Sequence, residues 1–149
     1  MLEAPYTLWE AYRNGGTVVI STNGIVTDKG LAVMGAGVAL AAKQHQPSLP
    51  WSLGKALLAT GNHVYWFQDL RMFTFPTKDN WRDPSTLELI DQSAGELVNY
   101  LRAYPALMHV YMPKVGTKNG GLAWHDVEKV LHKHFVNDLR LRVLLVKPE

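Results

Sequence analysis

The chain contains no cysteine. Disulfides, thiolate nucleophiles and cysteine-ligated zinc are therefore excluded, and a reducing compartment is permitted, so a cytoplasmic location is expected. No apolar run approaches the roughly 20 residues that a membrane-spanning helix needs. Met1 to Glu10 lacks the basic start and apolar centre of a secretory signal, so no membrane association is expected. Neither sign of charge dominates: 15 Lys and Arg stand against 13 Asp and Glu, a net +2. That mild excess does not identify a nucleic-acid binder, because a mixed-charge surface gives the same total. Repeats, linkers and low-complexity stretches are also missing. What is present is 149 residues of which 47% are hydrophobic. That is enough for a buried core, and the length suits one domain over residues 1–149, expected as a monomer.

The order of elements points to an α/β fold. Gly16 to Ser21 is a β-branched run of the kind buried on both faces inside a parallel sheet. A turn at Asp28-Lys29-Gly30 precedes Met34-Gly35-Ala36-Gly37. The alanine-rich Val38 to Gln46 is expected as helix, stopped by Pro47. A second short helix is expected to be capped by Ser48 or Ser52 and closed by Gly61. His63 to Gln68 and Met72 to Phe75 read as short strands. Pro84 and Ser85 are expected to open the longest helix, with Leu87, Ile90, Ala94, Leu97, Val98 and Leu101 on one face. Leu107 to Met112 reads as strand, Trp124 to Val136 as helix, and Leu141 to Val146 as a last strand. Alternating strands and helices predict a three-layer α/β/α sandwich around a mixed, mostly parallel sheet.

Ligands of such sheets bind beyond the carboxyl ends of the strands. Three segments fall there: Thr22-Asn23-Gly24, Met34-Gly35-Ala36-Gly37-Val38, and Gly116-Thr117-Lys118-Asn119-Gly120-Gly121. Glycine lets backbone N–H groups approach an anion, and a helix N-terminus adds partial positive charge, so paired loops of this kind suit a pyrophosphate. A glycine loop is nevertheless more often only a turn. Phe75-Pro76-Thr77-Lys78-Asp79-Asn80-Trp81-Arg82 adds a lysine, a tryptophan and an arginine at a strand end. Solvation is the default for a surface lysine. A lysine amine acts as a nucleophile only once unprotonated, which desolvation or a neighbouring cation such as Arg82 favours. Lys43, Lys78, Arg82, Lys114 and Lys118 are expected to gather at one cleft mouth. Trp51, Trp66, Trp81 and Trp124 are candidates for base stacking; Trp124 reads better as core, Trp81 better as ligand contact. His125, His132 and His134 read as solvated helix residues. No metal is expected.

Four stretches in this order resemble the macro domain family: Val18 to Asn23, Val33 to Ala39, Phe75 to Arg82, and Met112 to Gly116 with Gly120 to Trp124. The resemblance is to its branch of ADP-ribosyl hydrolases, which holds the DNA ADP-ribosyl glycohydrolase antitoxins of the DarG type and the terminal ADP-ribose glycohydrolase of animals. It implies that Asn23 contacts the distal ribose and that Lys78 acts on the ribose carbon bearing the modification. Thr22, Met34, Gly35, Ala36, Gly37, Val38, Thr77, Trp81, Gly116, Thr117, Lys118, Asn119, Gly120 and Gly121 would complete the ligand site. The ligand would be ADP-ribose or an ADP-ribosylated DNA or protein, and no cofactor is implied.

Departures from the family pattern set further expectations. Tyr6-Thr7-Leu8-Trp9 replaces the usual Gly-Asp that reads adenine, and the chain is expected to lack the first strand. Thr117 and Lys118 replace Cys-Gly. Gly120 stands where the animal enzyme carries a catalytic aspartate, as it also does in the antitoxin type. Val26 to Ala32 is an insertion. The implied activity is a glycohydrolase; a non-catalytic ADP-ribose reader and an ADP-ribose 1″-phosphate phosphatase are the alternatives.

Overall fold

The computed structural model describes residues 1–136 and 143–147. Its strands are β1 (Leu2–Thr7), β2 (Thr17–Thr22), β3 (Tyr65–Phe67), β4 (Met72–Pro76), β5 (Val110–Met112) and β6 (Val143–Lys147). Its α-helices are α1 (Leu8–Arg13), α2 (Gly37–His45), α3 (Leu49–Thr60), α4 (Leu87–Ala103) and α5 (Trp124–Phe135). The strands form one sheet in the order β1-β6-β5-β2-β4-β3. Every pairing is parallel except that of β3 with β4. None of the described helices is long and apolar enough to cross a membrane.

Side-chain alternation along the central strands builds the layers. Val19, Phe73 and Phe75 face one side and join Ile90, Leu97, Val127 and Leu131 of α4 and α5 in one core. Val18, Ile20 and Met72 face the other side and join Trp9, Tyr12, Ala42, Leu49 and Leu53 of α1, α2 and α3. The expected α/β/α sandwich with a mixed, mostly parallel sheet is the observed one.

Several boundaries differ for identifiable reasons. The expected loss of the first strand is overturned: β1 pairs with β6 at the sheet's edge. Leu-Glu-Ala-Pro-Tyr-Thr has no β-branched run, and only Ala4 is buried. An edge strand needs little more, and the edge tolerates Pro5. Helix α4 begins at Leu87 and not at Pro84, because the Thr86 side chain accepts from Leu89 N and caps it. Ser85 is drawn away, its N–H donating to Gly120 O at 3.0 Å. Ser48 occupies the cap position of α3 but its hydroxyl makes no capping bond, and Pro50 in the first turn needs none. Strand β5 starts only at Val110, since Leu107 N closes a turn onto Tyr104 O. The last strand runs over Val143–Lys147, and the expected start at Leu141 lies outside the described residues.

Candidate functional site

Strands β2, β4 and β5 end side by side, and the loops leaving them build one site. Pairing of β2 with β4 continues one step past the sheet, through Thr77 N donating to Thr22 O at 3.0 Å. The buried Ser93 hydroxyl of α4 donates to Pro76 O at 2.7 Å and pins the same strand end. Thr22 and Thr77 are thereby buried as framework beneath the loops.

The first glycine loop runs from buried Met34 over exposed Gly35 and Ala36 into α2. Gly37 opens that helix with φ +57, a left-handed conformation that favours glycine. No acid stands in the first turn of α2, so the positive end of the helix is uncompensated. A Cβ on Gly37 would lie 3.3 Å from Asn119 Nδ2. The two glycine loops therefore face each other across this point.

In the second loop, Leu122 N donates to Gly116 O at 3.0 Å. Gly120 is buried, and a Cβ there would collide with the Ser85 hydroxyl and Gly116 O. That explains the missing carboxylate physically: no side chain fits at position 120. The Thr117 hydroxyl donates to Lys114 O at 2.7 Å, so it braces the loop from within. Lys118 and Asn119 are exposed.

Lys78 ties the third segment to the second loop. It is half-buried, and its Nζ donates to Asn119 O at 3.2 Å and to Trp81 O at 3.4 Å. Trp81 is 47% exposed, and the Arg82 guanidinium lies 4.8 Å from its ring centroid. The amine, an exposed ring and two glycine loops are thus within one local network.

No family model matches the chain. A DNA ADP-ribosyl glycohydrolase of Mycobacterium tuberculosis is 30% identical over 136 residues, covering 83% of this chain and 38% of that protein. The macrodomain of Mycobacterium tuberculosis DarG superposes with a TM-score of 0.82 at 26% identity, covering 99% of this chain and 97% of the other. The macrodomain of Thermus aquaticus DarG gives 0.79 at 28% identity, covering 99% of both chains. The chain has the macro domain fold. This macro domain spans 38% of the length of the curated relative.

Within the macro domain the sequence-predicted residues divide. Gly37, Lys78, Trp81, Asn119 and Gly120 come together as described. Asn23 uses its amide inside its own loop, donating from Nδ2 to Val33 O at 3.0 Å and accepting Ile25 N on Oδ1 at 2.9 Å. One donor and one lone pair remain for a ligand. Val38 packs against the α2–α3 core. Of the five cations expected at one cleft mouth, Lys78 bonds the second loop through Asn119 O and Arg82 lies over Trp81. Lys43 lies in the last turn of α2, about 9 Å along the helix from Gly37 at 1.5 Å per residue. Lys114 lies over the Trp124 ring at 5.5 Å. Trp124 itself packs on the core, and Trp66 stacks on Phe73 at 4.2 Å.

His134 is not simply solvated, because its Nε2 bonds Asp91 Oδ1 at 2.7 Å. Among the described residues no three His, Asp or Glu side chains gather as metal ligands would. The segment from Val26 to Ala32 closes on itself through a Val26–Ala32 bridge and rests on α3, where Ala32 N donates to Pro50 O. Two grooves of about 410 and 430 Å³ lie elsewhere, beside Glu96 and Arg102 and beside Gly16 and Tyr111. Neither is bordered by the glycine loops.

Two residues of this neighbourhood escape sequence reading. Ser85 sits under the second loop, and its buried hydroxyl has no hydrogen-bond partner among the described residues. Asn62 reaches the Lys78 segment from the turn after α3. Neither carries a linear signal, since each acts across a fold-made contact.

Proposed function

We propose that this macro domain binds ADP-ribose across its two glycine loops and hydrolyses the bond joining the distal ribose to an ADP-ribosylated DNA base. The observation that carries the reading is the Lys78 amine, held between Trp81 O and Asn119 O where the two glycine loops meet. The positive end of α2 and the backbone of both loops would take the diphosphate. The amine would then stand by the ribose carbon. In the reaction the bond from that carbon to the base nitrogen breaks, its electron pair leaves with the base, the base gains a proton, and water supplies the hydroxyl to the carbon. With no carboxylate at Gly120, Lys78 or the substrate must move the proton. Trp81, exposed beside Lys78, offers a stacking face for the base.

DNA is favoured over protein as the carrier because the curated relative is a DNA ADP-ribosyl glycohydrolase. Incubation with ADP-ribosylated DNA, ADP-ribosylated protein and ADP-ribose 1″-phosphate tests the reading. Release of ADP-ribose from DNA is expected. Release from protein alone would reassign the substrate, phosphate release alone would make the protein a phosphatase, and binding without any release would make it a reader.

A further inference from the structure

Asn62 lies half-buried in the turn between α3 and β3, and no step proposed above uses it. Its Nδ2 donates to the backbone carbonyl of Lys78 at 3.0 Å and to Asp79 Oδ1 at 2.9 Å. Both partners are acceptors, so the amide nitrogen must face them. Oδ1 is therefore turned away, where it is buried without a hydrogen-bond partner among the described residues. Leaving an amide oxygen unpaired is costly, and a smaller side chain would avoid the cost.

Gly24 closes the other side. Its N–H donates to Asp79 O at 2.9 Å, and a Cβ on it would lie 2.9 Å from Asn62 Cγ. Asn62 is thus wedged between the loop leaving β2 and the segment leaving β4. Its place exists only because position 24 has no side chain. The two segments it joins are those carrying Asn23 and Lys78.

We propose that Asn62 is a positioning residue that fixes the Lys78 backbone, and through it the aim of the Lys78 amine. The part concerning turnover rests on the hydrolase reading above. The part concerning the clamp does not. A misplacement of about 1 Å at a reacting group can cost about 100-fold in rate, so the clamp need not touch substrate to matter.

The test uses Asn62→Ala, Gly24→Ala and the double variant, each in the whole chain. Asn62→Ala should lower kcat on ADP-ribosylated DNA by about 10- to 100-fold, while the Kd for free ADP-ribose moves less than about threefold. Gly24→Ala should do the same, because its Cβ expels the amide. The double variant should be no worse than Asn62→Ala, since the methyl then enters vacated space. A merely structural role would lower kcat and affinity together; that result overturns the proposal. Hydrogen exchange at the Gly24 N–H gives a reading independent of turnover. It should quicken at least tenfold in Asn62→Ala while amides within α4 hold. Unchanged exchange there also overturns the clamp. If wild type releases nothing from any substrate, the hydrolase reading falls, and the exchange rates in all three variants still decide the clamp.

Discussion

Lys78 donates to two backbone carbonyls that belong to different segments, and this sets what its replacement would do. Lys78→Ala removes the amine that bridges Trp81 O and Asn119 O and leaves the glycine loops' backbone in place. Hydrolysis should fall at least ~100-fold, the lower range for a positioned acid–base or nucleophilic group, and ADP-ribose affinity should change far less. Lys78→Arg should be nearly as damaging, since a guanidinium stays protonated and serves neither as nucleophile nor as base. Equal rates for wild type and Lys78→Ala in a single-turnover assay would remove the lysine from the mechanism. Lys118 differs, being exposed on the second loop. If its ammonium meets the diphosphate, Lys118→Ala should weaken ADP-ribose binding by roughly 1–2 kcal/mol, and the loss should shrink in high salt. Calorimetry at two salt concentrations checks both statements, and an unchanged affinity would leave the lysine in solvent.

At the level of elements, the N-terminus of α2 is the feature that most invites an anion. Gly37 is a poor place to test it, because its φ of +57 and the nearby Asn119 amide confound any substitution with strain. Gly35 is clean: nothing lies within 4 Å of a Cβ built there. Gly35→Glu should abolish ADP-ribose binding through charge repulsion while the melting temperature stays within about 2 °C of wild type. Normal binding by that variant would move the diphosphate elsewhere. This loop was readable in the sequence because it is a local pattern, glycines opening an alanine-rich helix. The buried run of β2 and the apolar stripes of α4 and α5 were readable for the same reason. Strand β1 was not, since its pairing with β6 is supplied by residues at the other end of the chain. The start of α4 was misjudged because Ser85 is claimed by Gly120, 35 positions away. Asn62 was invisible because its meaning depends on the absence of a side chain at Gly24.

At the scale of the whole molecule, the sheet separates the site from the structure that supports it. The loops gather at the strand ends, whereas α4 and α5 cover one face and are joined by an ion pair of their own. His134 Nε2 meets Asp91 Oδ1 at 2.7 Å, and Lys133 Nζ meets the same oxygen at 3.3 Å. The hydrogen bond from His134 holds the Asp91 carboxyl below its ordinary value of 3.8, with Lys133 adding to the effect and burial opposing it. A carboxylate whose folded-state pKa is lowered contributes stability above its unfolded pKa, and loses it as pH falls through the folded one. The window for Asp91 therefore opens near pH 3.8 and extends below it. Its side chain is 47% exposed, so screening keeps the contribution in the range of about 0–1 kcal/mol. Asp91→Asn should accordingly lower the melting temperature by about 1–3 °C at pH 6. The gap from wild type should close as both are taken below the folded pKa, where the wild-type carboxyl is itself neutral. It should also narrow in 1 M salt, whose Debye length is about 3 Å. Affinity for ADP-ribose should not move, because Asp91 bonds to neither glycine loop. Thermal melts of both proteins from pH 2 to pH 7 decide the matter: a gap that stays constant across the range would trace the loss to packing between α4 and α5 and not to the charge of the pair.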